Sequence, residues 1–168
     1  MSTISKLSEK ALAQLDKGAF LVCNTAGGVN VMTIGWGSVG IMWSKPVVTV
    51  PVRFSRMTHD LMEEGSAFTV CFPKKGTMQK ELNYCGTKSG RDFDKIEETG
   101  MLLEKAKAVN VPTIKDCEVI LECRTLAKID LSESAFIDES IVPWTYSNGD
   151  FHTLYLGEIV EAYERQAK

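Results

Sequence analysis

The sequence predicts a mainly β fold, an antiparallel β-barrel with helical insertions, and three observations carry that reading. Short β-branched and aromatic runs recur along the chain, as in AFLVCNT, VNVMTIG and SAFTVCF. Two later segments, CEVILECRTLAKIDL and HTLYLGEIVEAYE, are long enough to be major strands. Only short helical stretches lie between these runs, without the βαβ alternation that builds a parallel sheet. The 168 residues read as one domain spanning 1–168, with no repeat, low-complexity tract or linker. A chain of this size buries roughly 70% of its unfolded surface without help from a disulfide or a metal.

Taken in order, Leu7, Ala11, Leu12 and Leu15 recur at helical spacing, and Ser8 and Gly18 are the expected cap and stop of that helix. Residues 19–25 and 29–35 then form a hairpin about the turn Gly27-Gly28. Past the glycines at 35, 37 and 40, IMWSKPVVTVPVRF reads as one strand. Pro46 and Pro51 lack an amide donor, which places them at a bulge, a strand end or an edge. Thr58 is expected to cap a short helix ending at Gly65, before the strand at 66–72. A helix from Thr77 to Gly86, the loop TKSGRDFDK and a charged helical stretch (IEETGMLLEKAKA) lead to the two long strands. In the first of these, Glu118, Ile120, Glu122 and Arg124 alternate against Cys117, Val119, Leu121 and Cys123, as expected for a strand with one solvated face.

Composition removes several function classes. The net charge of −3 gives no electrostatic footprint for DNA or RNA, so no nucleic-acid partner is expected. No apolar run reaches the roughly 18–20 residues that cross a bilayer, and the first residues lack the pattern of a secretion signal, so a soluble cytoplasmic protein is expected. The five cysteines form no CxxC pair and sit in apolar runs, as reduced core thiols do. The two histidines, 59 and 152, are far apart and match no ligand spacing, so no metal site is expected.

Against this acidic balance, one basic cluster stands out. The apolar run 46–52 ends in Arg53, Ser55, Arg56 and Thr58. Period-two spacing puts Arg53 and Ser55 on one side of an extended segment, and Thr58 opens a helix whose first amides are free. A phosphate dianion needs such donors and positive charge in place beforehand, and guanidinium can bind it in a bidentate fork. The alternative is structural: the arginines pair with Asp60, Glu63 or Glu64, and Thr58 only caps the helix.

NVMTIGWG, KPVVTVPVRFSRMTHD, CGTKSGRDFDK and HTLYLGEIVEAY, in this order across roughly 19–163, resemble the flavin reductase-like family with the FMN-binding split-barrel fold, most of all its flavoredoxin-type members. The resemblance implies bound FMN. Asn30, Met32, Thr33 and Ile34 would line the ring, with backbone amides bonding its heteroatoms. Arg53, Ser55, Arg56 and Thr58 would receive the phosphate. Cys85, Gly86, Thr87, Lys88, Ser89 and Gly90 would close over the ribityl chain and phosphate, with Lys95 adding charge. Without the resemblance, that loop reads as a plain turn after a glycine-capped helix.

The resemblance further places Trp144 at the flavin or at a dimer interface, and brings the neighbourhood of His152 to the ring, where it bonds flavin or substrate or is simply structural. Trp36 and Trp43 read as core or interface aromatics. His59 reads as a solvent or phosphate neighbour. The implied activity is an FMN oxidoreductase that passes electrons from NADH or NADPH to a small acceptor, free flavin or a partner protein. An FMN electron carrier with little nicotinamide activity, or a flavin domain kept for interaction or storage, shares the same binding residues. Family members are usually homodimers with the flavin near the interface. No GxGxxG lies behind a strand and before a helix, which fits a nicotinamide that stacks on the flavin and needs no Rossmann domain.

Overall fold

A computed structural model describes residues 3–165. The chain runs α1 (Thr3–Leu15), β1 (Ala19–Thr25), β2 (Gly28–Ile34), β3 (Ser38–Met42), β4 (Lys45–Arg53), α2 (Met57–Glu64), β5 (Ala67–Pro73), α3 (Gln79–Thr87), α4 (Lys95–Thr99), β6 (Leu103–Glu104), β7 (Thr113–Ile114), β8 (Cys117–Asp130), α5 (Ile141–Thr145) and β9 (His152–Glu164). Seven strands form one antiparallel sheet in the order β2-β1-β5-β8-β9-β4-β3, and β6 and β7 pair separately. The result is a mostly antiparallel sheet with helical insertions, as the sequence predicts. Among the described residues no ladder joins the end strands β2 and β3, so the sheet curls without closing.

The curl follows from where the apolar side chains go. Ile34 of β2, Val48 and Val50 of β4, Val70 and Phe72 of β5 and Leu15 of α1 line one shared interior space. Leu7, Ala11 and Leu15 are the buried stripe of α1, whereas Leu12 is left exposed. A second cluster, with Phe20, Val22, Cys71, Ile114 and Ile120, covers the other face of β1, β5 and β8. These central strands are therefore apolar on both sides. All five cysteines are free and buried, and burial pushes the thiols of Cys71 and Cys85 up to about 11, leaving them unreactive near neutral pH.

Several local expectations need correcting. Ser8 lies inside α1, where its hydroxyl bonds the Ile4 carbonyl, and caps nothing. The expected single strand at 41–54 is a hairpin: Trp43 and Ser44 take left-handed φ values of 52° and 58° and turn β3 into β4. Such a turn normally uses Asn-Gly, which is why Trp-Ser concealed it. Pro46 pairs only toward β3 and Pro51 only toward β9, so each proline occupies a local edge. α3 begins at Gln79, after a left-handed Met78, and continues past Gly86 to Thr87. The charged helical stretch shortens to α4 and β6.

β8 has no solvated face over residues 119–123, because the second core cluster covers its outer side. Glu122 is consequently fully buried. Its carboxylate accepts backbone N–H bonds from Lys107 at 2.8 Å, Ala108 at 2.6 Å and Val109 at 3.3 Å. Among the described residues no helix is long and apolar enough to cross a membrane.

Candidate functional site

Two adjoining hollows lie where the ends of β4 and β9 meet β2. The β4–β9 register sets Arg53 opposite His152. With Pro51 they form one wall of a cleft of about 240 Å³, whose other wall is Met32, Thr33, Ile34, Gly35 and Trp36. Arg56 closes its end and also borders a second hollow of about 160 Å³, lined by Asn30, Ser55, Met57, Thr58, Thr87, Lys88, Ser89, Gly90 and Lys95. Because β2 ends the sheet, one row of its backbone donors and acceptors is not used by β1. That unpaired row can bond a planar heterocycle in the cleft.

The smaller hollow is built by tight local packing. Asn30 is buried on β2 and donates from Nδ2 to Thr58 Oγ1 at 2.8 Å. Thr58 thus sits inside α2 as its second residue, and its side chain does not cap the helix. Gly90 is required at its position, since a Cβ there would lie 2.3 Å from Asn30 Oδ1 and 2.8 Å from Met57 Sδ. Arg91 holds the 88–90 loop against α2, donating to the Ser55 carbonyl at 2.9 Å and pairing with Asp60 at 2.6 Å.

Charge decides what this hollow suits. Lys95 is 5% exposed, and its ammonium has one long bond, 3.4 Å to the Cys85 carbonyl. Burial lowers its pKa, and the Arg56 cation adds to that. Arg56 donates to the Gly86 carbonyl at 2.9 Å, and its pKa is lowered by burial and then by Arg53. Among the described residues neither cation has a carboxylate within ion-pair distance. A buried and a half-buried cation facing one cavity without a carboxylate partner are costly unless an anion completes them. The last carbonyls of α3 orient both, as the C-terminal end of a helix does for positive charge.

The site residues expected from the sequence divide accordingly. Met32, Thr33, Ile34, Arg53 and His152 line the cleft, Asn30, Ser55, Thr58, Lys88, Ser89, Gly90 and Lys95 line the smaller hollow, and Arg56 borders both. Cys85 and Gly86 contribute carbonyls behind the cations, and the Thr33 hydroxyl is turned away onto the Leu82 carbonyl at 2.6 Å. Trp144 is 80% exposed on α5 and lines neither hollow. His59 bonds Thr153 Oγ1 at 2.9 Å and lies edge-on to Phe54, away from the smaller hollow.

Two residues of the basic cluster are already engaged. Arg53 donates to the Asp150 carbonyl at 2.6 Å and to the Thr145 carbonyl at 3.1 Å. Ser55 donates from its amide and its hydroxyl to the two carboxylate oxygens of Asp150, at 3.1 and 2.7 Å. Asp150 and Arg91 are site residues that sequence reasoning missed. Arg91 lies inside the quoted motif CGTKSGRDFDK, beside Gly90, whereas Asp150 lies outside every quoted motif and no sequence signal pointed to it.

His152 is nearly fully buried, with Nδ1 2.7 Å from the Tyr146 hydroxyl and its ring 5.6 Å from Trp36. Burial, and secondarily the Arg53 charge, lower its pKa to about 4, against a smaller opposing effect of Asp150. The folded protein therefore binds the imidazole proton less readily than the unfolded chain does. Stability from this group is complete above its unfolded value near 6.5 and is lost as pH falls toward 4, by up to about 3 kcal/mol. Chemical denaturation at pH 7 and pH 4.5 checks this: a His152→Asn protein should lose clearly less stability over that interval than the parent. Equal losses would show that His152 is not the group responsible. Among the described residues no cluster of potential metal ligands occurs.

Residues 13–168 match the family model described as Flavin reductase like domain. An uncharacterized protein of Archaeoglobus fulgidus is 32% identical over 141 residues, which cover 84% of this chain and 68% of that protein. Among solved structures, flavoredoxin from Methanosarcina acetivorans aligns with a TM-score of 0.70 at 28% identity, covering 89% of this chain and 68% of its own. Flavoredoxin of Desulfovibrio vulgaris (Miyazaki F) aligns with a TM-score of 0.69 over 89% of this chain and 69% of its own, and at 18% identity that likeness is one of fold.

Proposed function

The chain belongs to the flavin reductase-like family, and from that premise we propose that it is an FMN-dependent oxidoreductase, working in the cytoplasm, that takes electrons from NADH or NADPH and passes them to a small acceptor, free flavin or a partner protein. The observation that carries the reading is a buried and a half-buried cation, Lys95 and Arg56, neither in an ion pair among the described residues, facing a hollow that opens onto a cleft edged by unpaired strand backbone. A flavin mononucleotide has the matching parts, a terminal phosphate and a planar ring with carbonyl and imide groups. Bound there, FMN would supply the hydride acceptance and single-electron release that amino-acid side chains lack.

The chain's own groups bind and orient. Arg56, Lys88, Ser89, Thr58 and Lys95 would hold the phosphate, and the free edge of β2 would meet the ring. His152 stays neutral at working pH beside Trp36 on the cleft wall. No paired carboxylates or nucleophile triad are needed for hydride transfer between two cofactors. Ile41, Trp43 and Trp144 are large apolar side chains left exposed, and we assign them to a homodimer interface near the cleft. The likeness to flavoredoxin favours one rival, an FMN electron carrier with little nicotinamide activity.

Loading with FMN, desalting, and adding NADH or NADPH without oxygen decides among these. The expected protein sediments as a dimer, keeps its yellow band, and bleaches within the time of a catalytic cycle. A band that is kept but does not bleach identifies the carrier. A colourless protein rejects FMN as the ligand, and a flavin-saturated monomer rejects the dimer.

A further inference from the structure

We infer that Tyr146 is a positioning residue: its phenol donates to Nδ1 of His152 and locks the imidazole in the tautomer that turns Nε2–H toward the cleft, as a donor for a carbonyl oxygen of the bound ring. The hydrogen bond of 2.7 Å admits two assignments, with either the phenol or Nδ1 as donor. Tyr146 is 6% exposed, and its hydroxyl has no other hydrogen-bonding neighbour among the described residues. If Nδ1 donated, the phenolic hydrogen would be buried without an acceptor, at a cost of about 1–3 kcal/mol. If the phenol donates, both atoms are satisfied and the remaining proton of the neutral ring sits on Nε2. Nε2 has no protein partner among the described residues, and His152 lines the cleft.

The surroundings hold this arrangement in place. The Tyr146 ring stacks on Phe151 at 4.6 Å and 20°, contacts Phe136 at 5.4 Å, and carries the Arg53 guanidinium over its face at 5.3 Å. Arg53 also grips the chain on both sides of Tyr146, through the carbonyls of Thr145 and Asp150. The charged groups facing the imidazole are Arg53, which opposes protonation, and Asp150, whose carboxylate is engaged by Ser55. Among the described residues no carboxylate hydrogen-bonds the ring to draw a second proton onto it.

The role as a donor to the ligand rests on the flavin reading above, whereas the tautomer lock does not. The test is a two-bond 1H–15N correlation spectrum of the ligand-free protein labelled with 15N-histidine. Its two histidines are assigned with a His59→Gln variant. His152 is expected as a single Nε2–H tautomer at pH 7, and Tyr146→Phe is expected to give a mixture of tautomers. A parent spectrum showing Nδ1–H overturns the proposal by itself, so the decision stands even if the Tyr146→Phe protein does not fold. An unchanged tautomer in a folded Tyr146→Phe protein also overturns it.

Titration with FMN and then with a reduced nicotinamide tests the second half, by whether the Nε2 resonance moves on binding. If flavin is retained and neither ligand shifts Nε2, the donor role falls while the flavin reading stands. If no flavin is retained, that reading fails and the donor role with it, and the tautomer is judged on the ligand-free spectrum alone.

Discussion

An Arg56→Ala protein should bind FMN about 10- to 100-fold more weakly than the parent while riboflavin binding changes far less, because charge-assisted hydrogen bonds contribute about 1.5–3 kcal/mol each. The two ligands differ only in the phosphate, so their ratio isolates the group that the smaller hollow is proposed to hold. The fold should tolerate the change. Arg56 has no carboxylate partner among the described residues, and its charge is disfavoured by burial and by Arg53. Removing it relieves repulsion at Lys95 and leaves only the Gly86 carbonyl without its donor.

Arg53→Ala supplies the contrast. Its guanidinium is bound to two loop carbonyls, so its loss should loosen residues 145–151 and weaken FMN and riboflavin by similar factors. Fluorescence titration of both flavins with both variants gives the comparison. Equal loss of the two ligands in Arg56→Ala would place the phosphate elsewhere, and a phosphate-selective loss in Arg53→Ala would restore that residue to the phosphate site.

Replacing Glu122 should produce the largest loss of stability, about 3–5 kcal/mol for Glu122→Ala, since each buried N–H left without an acceptor costs about 1–3 kcal/mol. Three such groups, at Lys107, Ala108 and Val109, end on this one carboxylate, and the same stretch carries the buried Ala106 and Val111. Glu122→Gln keeps the shape but turns an NH₂ group toward N–H donors, so it should also fall well below the parent. Urea denaturation measures both. A loss under about 1 kcal/mol in each would mean that water satisfies these amides as well as the carboxylate does.

The sequence by itself determined the features that local chemistry dictates. β-branched runs and glycine turns specified the first hairpin, β5 and the two long strands, and the order of four motifs specified the family. A helix start beside clustered arginines is a local pattern and singled out Arg53, Ser55, Arg56 and Thr58, whereas the other expected residues that line the two hollows came from the family resemblance. Where local rules were broken, sequence reading failed. The Trp43-Ser44 turn hid a hairpin, and the polar Glu122 passed for a solvated position.

Tertiary structure alone decided which partner each polar group met. Arg53, Ser55 and Arg56 are near neighbours in sequence and read alike. Folding brings Asp150 and the Thr145 carbonyl to the first two and leaves Arg56 with Lys95 facing a cavity. The pairing of Tyr146 with His152 was settled the same way, by a loop bent back over the end of β4. Burial fixes the charge and the proton positions of such groups, and burial is a property of contacts between segments distant in the chain.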